Sequence, residues 1–325
     1  MVQGAPYDAR IEMKPDGDDT KARAAQGMYV SLSAAGKDSI CIAGISVTWL
    51  DGVQFAWYGD VAEHCGAPWY HSKTILSAED LYTPKCMWMD SDGTDGVWTK
   101  GMSLHLPSFV ATAERAQSMT DDFDLWCNVA PRLRFWDQLT EKQPVPYFDP
   151  PLEFQPVTML DYDPAAVKNP AGWKIQPPLR KKKGLKRRQE PQDIIDDGYD
   201  DEYETADEDQ EGIPFTNHTL VRRQEPNRGQ SRFQGALVKS TMDGQSAKEL
   251  CKSESSMGPD FVSIKEKRFC DMTRKKSWPL CDDETTHSCF DTKVNAMVGG
   301  KLNRRRDDAT SERIIRKRYA TVHEW

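Results

Sequence analysis

No apolar run in this 325-residue chain is long enough to cross a bilayer as a helix. No C-x-x-C pair occurs, which argues against zinc sites built on close cysteine pairs. No G-x-S-x-G occurs and the six histidines are scattered, so nucleophilic hydrolysis has little support. Positive charge is not in excess. The formal net charge of −8 gives no general attraction to nucleic acid or to an anionic membrane. Apolar residues are also scarce, at 38% with a mean hydropathy of −0.71. A core therefore requires them to be concentrated, and they are: eight of the ten tryptophans lie between Trp49 and Trp173. The first residues show no basic stretch followed by an apolar core, so they do not read as a signal peptide.

What the chain does have is eight cysteines in two sets of four. Cys41, Cys65, Cys86 and Cys127 precede a long charged stretch, and Cys251, Cys270, Cys281 and Cys289 follow it. Two even sets read as two disulfide-stapled units made in an oxidising compartment, with three connectivities open within each set. The expectation is an extracellular protein whose true start is not the one given, with a nuclear protein as the alternative. No cofactor and no metal site is expected.

Residues 1–26 are polar and aperiodic and are expected to be disordered. Residues 27–163 should form a β-rich domain. Met28 to Leu32 alternates like a strand, and so does Ser39 to Leu50, with Cys41, Ala43, Ile45, Val47 and Trp49 on one face. A three-residue loop, Leu50-Asp51-Gly52, pairs Val47 with Phe55 and Ile45 with Trp57, placing six apolar residues on one face with Gly52 in the left-handed position. Cys86–Met89 and Val97–Leu106 are further strands and Ser108–Met119 is a short helix. Trp126 and Trp136 close the core, and Pro144–Pro156 is an extended strap. In the second half, Phe233–Val238, Phe261–Ile264 and Arg268–Cys270 read as strands, and Ser246 to Glu249 is a capping box opening a helix that carries Cys251. Residues 233–302 either pack onto the first domain or stand as a small α+β module, and packing together is the favoured reading. The tail, 303–325, is basic, with Ser311–Val322 a solvated helix. The fold class is mainly β with some α, β-sandwich-like and disulfide-stabilised, with a long disordered charged linker.

That linker, 164–232, carries the basic block Arg180–Arg188 and then eleven acids in the nineteen residues from Asp193 to Glu211. Arg-Arg-Gln-Glu-Pro occurs twice, at 187–191 and 222–226. Dibasic pairs in exposed chain suit a kexin-like processing protease, cutting after Arg188 and Arg223, with Arg306 and Arg318 as further sites. The same basic block fits a nuclear localisation signal, which carries the nuclear or cytoplasmic interaction-protein alternative. Asn217-His218-Thr219 is a glycosylation sequon.

Among candidate chemistries, the Asp90–Gly96 turn fails the EF-hand pattern because Asp95 and Gly101 stand where Gly and Glu are needed. Asp60 and Asp90, each in an aromatic setting, are the carboxylate pair to test for glycosidase-like hydrolysis. The aromatic cluster suggests a ligand platform. Tyr58, Trp69 and Tyr70 are the members expected to be exposed, with the other rings in the core.

Several runs together resemble a group of uncharacterised secreted proteins of filamentous fungi: Asp38-Ser39-Ile40-Cys41, Trp57-Tyr58-Gly59-Asp60, Cys65-Gly66-Ala67-Pro68-Trp69-Tyr70, Gly258-Pro259-Asp260-Phe261-Val262-Ser263, Phe269-Cys270-Asp271-Met272 and Trp278-Pro279-Leu280-Cys281. The resemblance implies an extracellular, disulfide-bonded protein and supplies no activity. The functional expectation is a secreted, non-enzymatic binding or effector-like protein trimmed at dibasic sites. Its partners would be carbohydrate or a host or cell-surface protein, with neither nucleic acid nor membrane among them.

Overall fold

The computed structural model describes residues 27–176 with short breaks at 37, 50, 77–78, 80, 94 and 139–144, the backbone of 180–181 and 203–204, and residues 233–299 and 317–325. The expected N-terminal segment, Arg188, Arg223, Arg306 and Asn217 lie outside the described residues.

The protein is mainly β, with a few short helices. In the first half β1 (Tyr29–Ser33) pairs antiparallel with β7 (Gly101–His105), which pairs with β8 (Leu133–Trp136). A second sheet runs β2 (Ile40–Ile42), β6 (Lys85–Met89), β5 (Trp69–His71). β3 (Gly44–Thr48) and β4 (Gln54–Tyr58) form the hairpin in the register the alternation predicts, Val47 opposite Phe55 and Ile45 opposite Trp57, with Gly52 at φ +85°. The stretch from Ser39 to Leu50 is not one strand, however. It breaks at Ala43, whose carbonyl accepts from Gly59 N–H, and passes from one sheet to another.

The helix expected from Ser108 begins later. Leu106–Phe109 is a 3₁₀ turn, and α2 (Ala113–Asp121) starts after Thr112, whose hydroxyl caps Arg115 N–H at 3.1 Å. The proline-rich strap contains β9 (Val145–Phe148), paired with β10 (Trp173–Gln176). Order thus continues through the first part of the expected linker. α4 (Pro164–Val167) follows an Asp163 cap, and Trp173 is buried with its indole N–H on the Val167 carbonyl. Val167 and Trp173, beyond the expected boundary at 163, belong to the first hydrophobic core. Two-residue strands β11 (Arg180–Lys181) and β12 (Tyr203–Glu204) pair with each other.

In the second half a five-stranded sheet has the order β16 (Lys276–Pro279), β15 (Arg268–Asp271), β14 (Asp260–Ser263), β13 (Ala236–Ser240), β19 (Thr321–Glu324). β13 and β14 are parallel, joined through α5 (Ala247–Lys252), since a parallel pair needs a crossover. Ser246 Oγ caps Glu249 N–H at 3.1 Å, as the capping pattern predicts. β17 (Cys289–Asp291) and β18 (Ala296–Val298) form a separate hairpin. β19 corrects the end of the expected solvated helix Ser311–Val322, of which residues 311–316 lie outside the described residues. Thr321 and Val322 are strand residues, because pairing with β13 and partial burial of Tyr319 and Trp325 outweigh a helical preference set by charged neighbours.

All eight cysteines are paired, and within their sets: Cys41–Cys86, Cys65–Cys127, Cys251–Cys270 and Cys281–Cys289. The halves nevertheless share a core. Trp69, Tyr70, Trp88 and Val97 from the first pack with Val238, Leu250, Phe261 and Met272 from the second. Trp69 Nε1 donates to Ser253 Oγ at 2.9 Å, Trp88 Nε1 to the Met257 carbonyl at 2.7 Å and Tyr70 Oη to the Pro259 carbonyl at 2.9 Å. Lys85 joins Glu63 of the first half to Glu249 of the second, at 2.7 Å from Glu249. The runs 65–70, 258–263 and 269–272 therefore all contribute to this shared interior.

Candidate functional site

The concavity that the second half offers is built from its strands. Phe269 on β15 stacks on Phe290 of β17, with ring centroids 4.0 Å apart at 15°, and lies 6.1 Å from Trp278 on β16. Phe269 and Phe290 are buried, while Trp278 is half-buried and presents part of its surface. Asp271, Arg274, Asn295, Lys317 and Tyr319 supply the polar margin of a small depression of about 10 Å³, partly open to solvent. Asn295 sits in the left-handed turn between β17 and β18 at φ +52°, and its Oδ1 is buried with no hydrogen-bond partner among the described residues. The accessible part of Trp278, beside charged side chains, can take the flat apolar face of a ligand that brings hydroxyls.

One side of this depression is held by a charge cluster. Lys317 Nζ lies 2.8 Å from Asp260 Oδ2 and 2.5 Å from Asp271 Oδ1, and Tyr319 Oη donates to Asp260 Oδ2 at 2.6 Å. Both carboxylates are buried. Burial raises the Asp260 carboxyl above its ordinary range, with Asp271 adding to the rise and Lys317 opposing it. Burial likewise pushes the Tyr319 phenol upward, and the Asp260 charge adds to it. With one ammonium shared between them, these acids are a structural ion cluster.

Asp60 and Asp90 are not brought together. Asp60 opens α1 (Asp60–His64), accepting from Tyr82 Oη at 2.6 Å and from Lys85 N–H at the start of β6. Asp90 follows the other end of β6, fully buried, accepting from Asp92 and Asp95 N–H. Five residues of extended strand separate the two by roughly 17 Å, beyond the spacing of either glycosidase geometry. Burial raises the Asp90 carboxyl.

The aromatic platform is also corrected. Tyr58 is exposed at 39%, but Trp69 and Tyr70 are at 0% and 1%. Their cover comes from the second half. Gly258, at φ +150°, lies so close to Tyr70 that a Cβ there would fall 2.5 Å from the ring. The sequence reading missed Trp278, Phe269 and Phe290 as a group. Their signal was aromatic residues interleaved with charged turns in 268–291, but register between separate hairpins is not written in spacing.

Other titratable groups in the two halves are engaged in structural contacts. His105 Nδ1 is 2.8 Å from Ser108 Oγ, yet both residues are buried, and burial with the nearby Arg132 charge lowers the imidazole to about 3. Arg132 and Arg115 share the buried Asp161 at 2.7 and 3.3 Å and lie over the Trp126 ring, fastening residues 159–161 to the core. Lys275 is lowered to about 8 by burial. It donates to the Leu250 and Ser256 carbonyls at 3.2 and 2.6 Å, bonding a carbonyl in the last turn of α5. Arg318 is exposed, but the residues after it are docked, with Ala320 N–H on the Gly235 carbonyl at 2.8 Å. Cleavage there requires the tail to leave the sheet.

Among the described residues, no helix is long and apolar enough to cross a membrane, and no group of three or more His, Cys, Asp or Glu side chains is placed to hold a metal ion. No protein-family model matches the chain, and neither do any of the curated proteins or solved structures with which it was compared.

Proposed function

We propose that this is a secreted, non-enzymatic binding protein that holds a carbohydrate against the half-buried Trp278 ring, which the buried Phe269 and Phe290 support from behind, and that it is made as a precursor trimmed at dibasic sites. The observation that carries the reading is the half-buried Trp278 ring bordered by Asp271 and Arg274. A sugar ring has an apolar face for the indole and hydroxyls for that rim. Four disulfides, with all eight cysteines paired, support an oxidising destination. The resemblance to secreted fungal proteins supports the same compartment. The platform is thereby moved from Trp69 and Tyr70 to Trp278.

A glycan array probed with the full chain tests this. Binding is expected, and Trp278→Ala should abolish it while leaving the far-ultraviolet circular dichroism unchanged. An array without hits, or hits that survive Trp278→Ala, overturns the proposal. Processing is read separately, by intact mass and N-terminal sequencing of protein from its native host.

A further inference from the structure

The last described segment, 317–325, is bonded to the molecule as a peptide ligand would be. β19 lies at the edge of the five-stranded sheet, parallel to β13, with Ala236 opposite Thr321 and Lys239 opposite Glu324. Trp325 N–H donates to the Lys239 carbonyl at 2.8 Å, and Thr241 N–H to the Trp325 carbonyl at 3.1 Å. One end is anchored by Lys317 and Tyr319 on the acid cluster. The other is anchored by Trp325, which meets Tyr70 and Phe261 edge-on at 6.2 and 6.3 Å. No disulfide reaches this segment, so every tie is reversible.

The receiving surface is built for such an occupant. Without it, β13 would present an unpaired edge next to the fully buried Leu237 and Val238. Asp260 and Asp271 would then lose the ammonium that bridges them, leaving Asp271 with Arg274 at 3.7 Å. The sequence this groove fits is 317–325, and every copy of the chain carries one. Exchange of an identical element between copies needs no new interface.

We propose that the β13 edge with Asp260 and Asp271 is a strand-accepting interaction site whose partner in trans is the 317–325 segment of a second copy. The inference does not depend on what the aromatic face binds. The tail already tethered to each copy competes with an effective concentration on the order of millimolar, so isolated copies favour their own tail.

Two full-length variants remove that competition. Lys317→Glu sets a negative charge against the acid pair and leaves the groove intact. Asp260→Asn with Asp271→Asn leaves the tail intact and weakens the groove by roughly 10- to 100-fold, the loss expected for charged hydrogen bonds. Each variant alone should be monomeric by native mass spectrometry, and an equimolar mixture should give a 1:1 heterodimer. With both variants folded and all four disulfides formed, the absence of a heterodimer overturns the proposal. Should either variant fail to fold, wild-type protein labelled with ¹⁵N is mixed with unlabelled wild-type protein at about 1 mM, matching the tether. Mixed dimers that are lost on adding excess synthetic 317–325 peptide support strand exchange; monomers only, or dimers indifferent to the peptide, refute it.

Discussion

Acidification should destabilise this protein before most of its exposed carboxylates are neutralised. His71 and His105 are both buried. His71 Nε2 is 3.1 Å from the Ser246 carbonyl, which can only accept, so that nitrogen carries the proton and Nδ1 is bare. Burial is the main cause lowering His71 to about 4. The nearby Lys85 also lowers it, while the Ser246 carbonyl, Glu249 and Asp60 oppose. His105, facing Arg132, Arg115 and Asp161, is lowered to about 3. In the unfolded chain both titrate near 6.5. Between pH 6.5 and 4 the unfolded state therefore binds the protons, and stability present above 6.5 is lost as pH falls. At pH 4.5 each group has lost about two pH units of linkage, together about 5 kcal/mol. That is a large share of the 5–15 kcal/mol typical of a folded domain. Asp90 and Asp260, raised in the folded state, act in the opposite direction on acidification, so the observed loss is a net value. Urea unfolding at pH 7.0 and 4.5 without reductant measures it, and His71→Gln should remove about half of the pH-dependent part. A free energy of unfolding that is equal at the two pH values, or a pH dependence unchanged in the His71→Gln, His105→Gln double variant, would refute the reasoning.

Three further outcomes follow from packing and covalent ties. Trp69→Ala should cost about 3–5 kcal/mol in urea denaturation because the whole side chain is buried between the halves, whereas Trp278→Ala should cost less than half of that. Gly258→Ala should lower stability by about 1–3 kcal/mol, since the added methyl meets the Tyr70 ring and the backbone is in a region alanine avoids; a thermal melt reads it. Removing Cys65–Cys127 as a serine pair should cost about 4 kcal/mol and removing Cys281–Cys289 about 2.5 kcal/mol, because the enclosed chain differs from 62 to 8 residues in separation; equal losses in chemical denaturation would argue against the chain-entropy account.

The residues that could be read from sequence were those whose partners are near in the chain. The Val47–Phe55 and Ile45–Trp57 pairs followed from alternation around Asp51-Gly52, and Ser246 capped Glu249 as its spacing required. What could not be read were contacts made across hundreds of residues. Trp69 and Tyr70 look like surface aromatics until Ser253, Gly258 and Pro259 cover them from 184 and more residues away. Thr321 to Glu324 has charged surroundings that suit a solvated helix, and only the waiting edge of β13 makes it a strand. The candidate site fails to show in sequence for the same reason, since its floor joins β15, β16 and β17 while its rim includes the tail.

The map of sulfur bridges has a kinetic consequence. Two lie wholly before residue 128 and two wholly after residue 250, so no covalent bond besides the main chain spans the gap. Were the main chain cut between the halves, the two pieces would obey mass action. Their union would then have a dissociation constant, a half-life and a sensitivity to dilution that the uncut chain lacks. A molecule released into a large volume would carry a built-in clock, set by how slowly Trp69 and Trp88 withdraw from the 253–257 loop.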